Sequence, residues 1–377
     1  MAGATRRQLV ERPAMSIQPK RVAIVHDWLN GMRGGERTLE AILELFPRAD
    51  IFTLLLDREK ISDTISQRKI TTSFIQRLPL AQSKYRYLLP LFPKAVESLD
   101  LSGYDLVIST SHCVAKGACP ADGATHICYC FSPMRYVWVF QEEYFGRVHV
   151  RRVLLRPVLD WLKQWDRRTS QRVHHFVAIS KTVAERIALF YGRDSTVIHP
   201  PVDTTFFTPG GEQQDFFLIV SALVPYKRVD LAIRAFNKLR LPLVVIGDGP
   251  EYRRLKAMAG GTVSFRGWVS DREVREAYQG CCALVFPGVE DFGLTPVEAQ
   301  ACGKPVIAFG EGGVTESVRE GITGLFFHEQ TVQALVTAVR AFQTMPFEPA
   351  RARQNSLRFS REVFKERLKD YILRRFT

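Results

Sequence analysis

Continuous runs of apolar residues alternate with amphipathic segments along almost the whole chain. In the first half the runs lie at 22–26, 105–110, 126–130 and 176–180. Strands that are apolar at every position are typical of parallel sheets covered by helices on both faces. The segment 36–46, with apolar residues at helical spacing, predicts a helix directly after the first strand.

A second series of the same kind fills the C-terminal half. Its predicted strands and helices lie at 216–220, 243–246, 263–265, 283–286, 305–308 and 324–327, and at 229–239 and 273–278. A polar stretch rich in Pro and Gly, residues 200–214, separates the two series and predicts a domain boundary. The pattern predicts an α/β protein with two Rossmann-like, doubly wound parallel-sheet domains. Ligands of such domains bind outside the carboxyl ends of the strands, here in the cleft between the domains.

Composition sets broad limits on what the protein is. A length of 377 residues suffices for two or three domains. Residues 1–19 lack the apolar core of a signal peptide and are expected to be a disordered lead-in. Seven cysteines without a Cys-x-x-Cys pair predict reduced thiols in a cytosolic protein. The net charge of +13 suggests an anionic partner, such as nucleic acid, lipid or a phosphorylated ligand.

Residues 290–298 carry the most specific chemical signal, two carboxylates at the start of a predicted helix. Thr295 is placed to cap that helix, Pro296 suits its first position, and Glu298 then completes a capping box. The N–H groups of a helix start bind phosphate, because they lack partners and lie at the positive end of the helix dipole. Glu298 therefore has two interpretations: it only caps its helix, or it forms a ligand site with Glu290.

A glycine-rich element, residues 31–35, follows the first strand. It is looser than the GxGxxG of dinucleotide-binding domains, so an ordinary turn and a phosphate loop at Gly34 and Gly35 are both open. No Asp-x-Asp lies in a suitable loop, and the His and Cys residues lack metal-ligand spacing. We therefore expect neither a metal nor another cofactor.

Several motifs follow one another in the second half of the chain. They are 224–232 with Lys227 and Arg228, 247–250, 265–269, the pair Glu290 and Glu298, and 312–316. In this order they resemble glycosyltransferase family 4, the retaining nucleotide-sugar transferases of the GT-B fold. An ordered set is far more specific than any one of its members. The resemblance implies a nucleotide sugar as donor.

The resemblance and the chemistry of a departing diphosphate suggest a role for each motif. Negative charge grows on the leaving oxygen, and preorganised cations and amide dipoles stabilise it. Lys227 and Arg228 would hold the diphosphate, and Glu290 would orient the transferred sugar. The other expected donor contacts are Gly34, Gly35, Phe292, Gly293, Leu294, Thr295, Glu298 at the ribose hydroxyls, and Gly267 and Val269 at the base. The alternative for the two cations is a solvated helix start; because cations there oppose the helix dipole, an anion is expected beside them.

Motifs in the first half of the chain indicate a particular subgroup of this family. Its motifs are 26–29, 34–37, 109–112 and 129–138. They are similar to those of the mannosyltransferases of O-antigen and exopolysaccharide assembly, which implies GDP-mannose as donor and a lipid-linked saccharide as acceptor. His112 and Arg135 are the candidate contacts to the sugar or the acceptor. The donor base is implied by the resemblance alone, since residue chemistry does not distinguish guanine from uracil here.

The sequence departs from the family pattern at two positions. Ala222 follows the first strand of the second half, where the family usually has Arg, and we expect Arg228 to supply the missing cation. Phe131 stands where the family commonly has a His that touches the donor sugar. His112 is expected to take over that contact, or else to pack as an inert side chain.

Two segments, 84–94 and 147–172, interleave basic residues with aromatic and aliphatic ones. One interpretation is that they contact an anionic membrane, in agreement with a lipid-linked acceptor and a peripheral position at the inner face of the cytoplasmic membrane. The other is a solvated helix whose apolar side packs on its own domain. Pro157 predicts a break that divides the second segment into two helices.

The GT-B resemblance predicts a division of the chain into four parts. These are the lead-in at 1–19, an acceptor-side domain at 20–205, a nucleotide-sugar domain at 206–355, and a helix at 356–377 that crosses back to the first domain.

Three other functions remain to be weighed. A sugar-nucleotide epimerase would share the fold but would typically lack Lys227 together with Glu290 and Glu298. The departures at Ala222 and Phe131 suggest a donor-binding subunit without activity. Charge alone suggests a nucleic-acid-binding protein, but no helix-turn-helix, zinc finger or RNP pattern supports it, and we expect no nucleic-acid partner.

Overall fold

The computed structural model describes residues 19–79, 81–139 and 149–376, apart from the side chains of 149–155. The lead-in expected at 1–19 lies outside these residues except for its last position, and Arg147 of the second basic segment lies outside them too. The described chain forms two parallel sheets flanked by helices. The predicted architecture of two doubly wound α/β domains is confirmed.

The N-terminal sheet has seven parallel strands in the order β3-β2-β1-β4-β5-β6-β7. They are β1 (Val22–His26), β2 (Asp50–Thr53), β3 (Ile70–Thr72), β4 (Leu106–Ser111), β5 (Thr125–Cys130), β6 (His175–Ala178) and β7 (Ser195–Val197). The α-helices among the described residues of this half are α1 (Gly34–Leu45), α2 (Asp63–Ser66), α3 (Ala81–Lys84), α4 (Phe92–Glu97), α5 (Arg135–Trp138), α6 (His149–Thr169) and α7 (Lys181–Tyr191). The strand order reverses between β1 and β4, which opens a crevice at their carboxyl ends.

The C-terminal sheet repeats this plan with six strands in the order β10-β9-β8-β11-β12-β13. They are β8 (Phe217–Val220), β9 (Leu243–Ile246), β10 (Val263–Gly267), β11 (Ala283–Phe286), β12 (Val306–Phe309) and β13 (Gly324–Phe327). The helices are α8 (Val229–Leu239), α9 (Tyr252–Met258), α10 (Asp271–Gly280), α11 (Leu294–Ala301), α12 (Val314–Ser317), α13 (Val332–Thr344), α14 (Pro349–Leu357) and α15 (Arg361–Leu373). Its reversal lies between β8 and β11.

All the predicted strands are present, and their ends differ from the prediction by no more than two residues. The strands β2, β3 and β7 were not predicted. Their sequences, Asp-Ile-Phe-Thr, Ile-Thr-Thr and Ser-Thr-Val, mix polar with apolar residues and so lack a continuous apolar run. Pairing with a neighbouring strand, and not local propensity, makes them part of the sheet.

The break predicted at Pro157 is wrong, because α6 continues through it. A proline inside a helix removes one backbone hydrogen bond. Tertiary packing outweighs that loss here, since Leu159, Leu162 and Trp165 on the following turns are buried in the domain.

Helix α15 leaves the C-terminal sheet and lies against the N-terminal domain. Its Phe364 packs edge-on against Tyr129 of β5, with ring centroids 5.6 Å apart. Its Lys365 pairs with Glu44 of α1 at 2.7 Å. The chain therefore runs between the domains twice, and contacts in the second passage hold α15 to the first domain.

Candidate active site

The loop between β11 and α11 differs from the predicted capping box. Helix α11 begins at Leu294, and its N-cap is Gly293 with a φ of 84°, a conformation that favours glycine. Pro296 is therefore the third helical residue, where a missing amide hydrogen also costs little. Thr295 lies inside the first turn, so the prediction that it caps the helix together with Glu298 is wrong.

Glu298 lies at the junction with the N-terminal domain. Its carboxylate accepts a 2.9 Å hydrogen bond from the hydroxyl of Tyr278 in α10. Burial raises the pKa of Glu298, although Arg37 of α1 and the Tyr278 hydroxyl act in the opposite direction. The contacts of this carboxylate exclude the interpretation of a simple helix cap.

Lys227 and Glu290, which the sequence singled out, form an ion pair between Nζ and Oε1. Lys227 ends a short 3-10 turn, Pro225–Lys227, after β8, and Glu290 follows β11, which pairs with β8. The two side chains are 13% and 22% exposed. They are shielded by the protein but still reachable from the solvent.

Glycines allow the loops that carry this pair to approach closely. A Cβ on Gly288 would lie 2.7 Å from the Cα of Lys227, and a Cβ on Gly313 would lie 2.3 Å from the Cα of Phe292. The N–H of Gly313 donates to the carbonyl of Glu290 at 2.9 Å. Backbone contacts from the 312–316 motif therefore hold the Glu290 loop in place.

Arg228 is the N-cap of α8 and has a left-handed backbone, with φ 51°. Its guanidinium contacts Asp230 at 3.4 Å and Gln330 at 3.0 Å. Asp230 is thus an anion beside the two cations at this helix start, supplied by the protein itself. With 34% of its side chain exposed, Arg228 remains accessible to a further anion.

Gly34 and Gly35 lie where α1 meets the C-terminal domain. A Cβ on Gly34 would lie 2.5 Å from Cδ1 of Leu294, so the starts of α1 and α11 touch. A Cβ on Gly35 would lie 3.6 Å from the rings of both His26 and Phe131. The glycine element of the first half and the helix start of the second half are therefore neighbours across the cleft.

His112 is held by a carboxylate that the sequence analysis did not predict. Asp27 is fully buried, contacts His112 Nδ1 at 3.0 Å, and accepts hydrogen bonds from the four backbone N–H groups of 112–115. Burial alone would raise the pKa of Asp27, but His112 and backbone hydrogen bonds outweigh it and lower that pKa. Because an ionised carboxylate only accepts, Nδ1 of His112 carries a proton and donates it to Asp27.

Arg135 forms an ion pair with a second carboxylate that the sequence analysis did not predict, that of Asp291. Asp291, next to Glu290, is 4% exposed and pairs with Nη2 of Arg135 at 2.6 Å and with Nη1 of Arg186 in α7. Both arginines belong to the N-terminal domain. In the sequence, only the position of Asp291 beside Glu290 could have indicated its role. The burial of Asp291 depends on contacts with the other domain, which the sequence does not show.

Two further carboxylates of the C-terminal domain reach across the cleft. Asp271 at the start of α10 pairs with Arg37 at 2.5 Å. Glu316 of the 312–316 motif accepts from the backbone N–H of Lys181 at 2.7 Å and contacts His199 at 2.9 Å. Together with Asp291, these two carboxylates give the cleft three separate polar contacts between the domains.

The remaining predicted donor residues lie at the edges of this site. Gly267 ends β10 with φ 69°, and a Cβ added to it would have no atom within 4 Å. Val269 packs partly on the core, and Trp268 between them is 81% exposed. Phe292 is buried against His199 and Phe359, at 5.3 and 5.5 Å, so its side chain belongs to the packing of the domain junction.

No group of three His, Cys, Asp or Glu side chains in the described part of the chain has an arrangement that could hold a metal ion. Within the same residues, no helix is both long and apolar enough to cross a membrane. The seven cysteines are all free.

Both halves of the chain match known families. Residues 32–206 match Glycosyltransferase Family 4, and residues 204–358 match Glycosyl transferases group 1. The two matched regions together span residues 32–358. A D-inositol 3-phosphate glycosyltransferase of Mycobacterium sp. (strain JLS) is 30% identical over 167 residues, which are 37% of this chain and 38% of that protein. The alignment thus spans well under half the length of this relative.

Solved structures share the fold over nearly the whole chain. Sucrose-phosphate synthase from Thermosynechococcus elongatus has a TM-score of 0.72 at 17% identity, covering 95% of this chain and 99% of that one. Anabaena HepE in complex with UDP and glucose has a TM-score of 0.69 at 16% identity, covering 93% and 98%. The lipopolysaccharide outer core galactosyltransferase WaaB has a TM-score of 0.68 at 16% identity, covering 94% and 99%. These likenesses establish the GT-B fold, as the sequence predicted.

Proposed function

We propose that this protein is a retaining glycosyltransferase. It transfers a hexose, preferably mannose from GDP-mannose, to a lipid-linked saccharide during the synthesis of a surface polysaccharide. The observation that carries the proposal is the ion pair of Lys227 and Glu290. Glu290 lies on the loop before α11, and the start of α11 touches the N-terminal domain at Gly34.

The mechanism rests on charge that is in place before the reaction. The leaving nucleoside diphosphate gains negative charge, which Lys227, Arg228 and the N–H groups at the start of α11 stabilise. Glu290 exchanges its contact with Lys227 for hydroxyl groups of the transferred sugar and so orients the anomeric carbon. Glu298 accepts from the ribose hydroxyls, and the open surface at 267–269 takes the base.

On the opposite side of the cleft, His112 contacts the sugar or the acceptor through Nε2. Support for this role comes from its 24% exposure and from Asp27, which fixes the ring through Nδ1. Phe131, 7% exposed, packs beneath this region and contributes no polar group. His112 thereby replaces the histidine that is missing at position 131.

The preference for GDP-mannose is supported by the motifs of the first half alone. The binding experiment therefore compares GDP and UDP by calorimetry, followed by hydrolysis assays with GDP-mannose, UDP-glucose and UDP-galactose. We expect GDP to bind more tightly and GDP-mannose to release GDP and free mannose. Conversion of the donor into an epimeric nucleotide sugar, without net release of nucleoside diphosphate, would indicate an epimerase. Binding without turnover would indicate a donor-binding subunit, and binding of no nucleotide would overturn the proposal.

We also propose that the protein acts at the inner face of the cytoplasmic membrane, through its two basic segments. The apolar side of α6 packs on its own domain, so that contact would use what remains exposed. In 156–172 this includes Arg156, Arg167, Arg168 and Trp161. In 84–94 it includes Tyr87, which is 83% exposed. Such a mixture of bases and aromatic rings suits an anionic headgroup layer.

Cosedimentation with vesicles tests the membrane contact. We expect binding to vesicles containing phosphatidylglycerol and little binding to pure phosphatidylcholine, with Arg167→Gln/Arg168→Gln weakening it. Equal binding of the variant and wild type would assign α6 to ordinary domain packing.

A further inference from the structure

Asp291 is buried at the centre of the cleft, and both of its carboxylate oxygens are bound from the other domain. Oδ1 contacts Arg186 of α7, and Oδ2 contacts Arg135 of α5 at 2.6 Å. The two arginines come from separate elements of the N-terminal domain. The carboxylate of Asp291 in the C-terminal domain thus binds two separate helices of the N-terminal domain.

The backbone that carries Asp291 is fixed within its own domain. The carbonyl of its neighbour Glu290 accepts from Gly313 at 2.9 Å. A Cβ on Gly313 would lie 2.4 Å from the carbonyl oxygen of Asp291, so the two backbones are in direct contact. Movement of the Asp291 carboxylate would therefore move the chain at Glu290 as well.

The arginine side of the contact is also fixed. The N–H of Arg135 lies 3.4 Å from the carbonyl of His112, and Trp138 at the other end of α5 donates to Asp166 at 2.7 Å. Asp166 is fully buried in α6, where it also contacts Lys116 and accepts from Tyr191. Helix α5 is thus held between the His112 loop and α6.

We propose that Asp291 is a positioning residue that aligns Glu290 only when the two domains are closed. The contacts with Arg135 and Arg186 set the Glu290 loop against the N-terminal face, and opening of the cleft releases it. This inference rests on the proposed function, because it assigns Glu290 to the transferred sugar. It gives Arg135 a role in alignment as well as a place beside the acceptor side of the cleft.

The test compares two substitutions that each remove one carboxylate bridging the domains. Asp291→Asn breaks the contact beside Glu290, whereas Asp271→Asn breaks the exposed contact with Arg37. We expect Asp291→Asn to lower kcat for GDP-mannose hydrolysis by about 10²-fold, since small misplacements in an active site have effects of that order. Asp271→Asn should change kcat by no more than about fivefold, as for a surface ion pair.

Further measurements distinguish a role of Asp291 in aligning Glu290 from a role in only holding the two domains together. The proposed function assigns GDP chiefly to the C-terminal domain, so the Kd of GDP should change far less than kcat in Asp291→Asn. Arg186→Lys, which keeps the charge, should recover part of the kcat lost in Arg186→Gln. Small-angle scattering of the protein without ligand should show a larger radius of gyration for Asp291→Asn than for wild type.

The outcomes distinguish this inference from the proposed function. If the wild type is active and the Asp291→Asn variant has a normal kcat, the inference about Asp291 is overturned but the proposed function is not. An equal loss in GDP affinity and in kcat, with no difference between Arg186→Lys and Arg186→Gln, also overturns it. If the wild type binds no nucleotide, the proposed function is overturned. If the radius of gyration is then also unchanged in Asp291→Asn, Asp291 does not hold the two domains together, and the inference is overturned as well.

Discussion

The two faces of the cleft hold their candidate functional side chains in different ways. On the C-terminal face, Lys227 and Glu290 lie on loops that meet backbone to backbone, at glycines such as Gly288 and Gly313. On the N-terminal face, His112 is held by the buried carboxylate of Asp27, which also binds four backbone N–H groups. One face depends on space that only glycine leaves, and the other depends on a buried, fully hydrogen-bonded charge.

Because of this difference, different substitutions are expected to disrupt the two faces. Both arrangements hold polar groups still, as a site that stabilises developing charge requires. Close backbone packing fails when volume is added, since the neighbouring chain must shift. A buried charge network fails when the charge is removed, because its partners remain buried without it. An added methyl group at Gly313 should therefore destabilise the C-terminal face, and neutralisation of Asp27 should destabilise the N-terminal face.

The largest effect is expected from Lys227→Ala. It removes a cation from the proposed diphosphate site and leaves Glu290 without its partner. We expect kcat for donor hydrolysis to fall by about 10²- to 10³-fold, as for the loss of one preorganised group. Lys369→Ala, an exposed lysine of α15, is the control and should leave kcat unchanged. A Lys227→Ala variant with near-normal turnover would remove the electrostatic basis of the C-terminal face.

Gly313→Ala tests the close packing of the C-terminal face. The new Cβ would lie 2.3 Å from the Cα of Phe292, which is backbone and cannot rotate away. We expect a loss of about 1–3 kcal/mol in the free energy of unfolding, measured by urea denaturation, with reduced donor turnover. Gly261→Ala, whose Cβ would have no neighbour within 4 Å, serves as the matched control. Equal stability of the two variants would show that the loop can relax.

Asp27→Asn tests the buried charge of the N-terminal face. We expect a loss of about 2 kcal/mol near neutral pH, from weaker hydrogen bonds to an uncharged group. The lowered pKa of Asp27 means that its stabilising contribution is complete above the ordinary pKa of an aspartate, about 3.9, and is lost as the pH falls below that value. The stability difference between wild type and Asp27→Asn should therefore shrink in acid.

Urea denaturation over a series of pH values measures this difference. Glu212→Gln, an exposed change of the same kind, controls for net charge. A stability gap between wild type and Asp27→Asn that stays constant into acid would contradict the assignment of an ionised Asp27.

Arg228→Ala is expected to have the smallest of these effects, a loss of turnover of at least about tenfold, or 1.4 kcal/mol. The guanidinium is shared with Asp230 and Gln330, so only part of its charge is available to a ligand. Arg228→Gly separates the side chain from the backbone, since glycine accepts a φ of 51° without strain. Normal turnover in both variants would mean that Arg228 does not replace the cation missing at Ala222.

Local pattern was sufficient for much of this molecule. The buried parallel strands β8, β9 and β11 are apolar throughout, so they could be located from the run of apolar residues alone. Lys227 and Glu290 were singled out from the ordered motifs of the second half, and the structure places them together. The start of α11 was misplaced by two residues, because Thr295 and Pro296 satisfy the usual rules for a helix start while Gly293 permits an earlier one.

The sequence by itself determined the fold class and the positions of most strands, because these depend on neighbours along the chain, and its motifs singled out Lys227 and Glu290. Only the tertiary structure decided that Asp27 holds His112, that Asp291 binds Arg135 and Arg186, and that α6 continues through Pro157. These features join residues far apart in the chain. Their stability comes from burial and pairing between elements, which leave no periodic signal in the sequence.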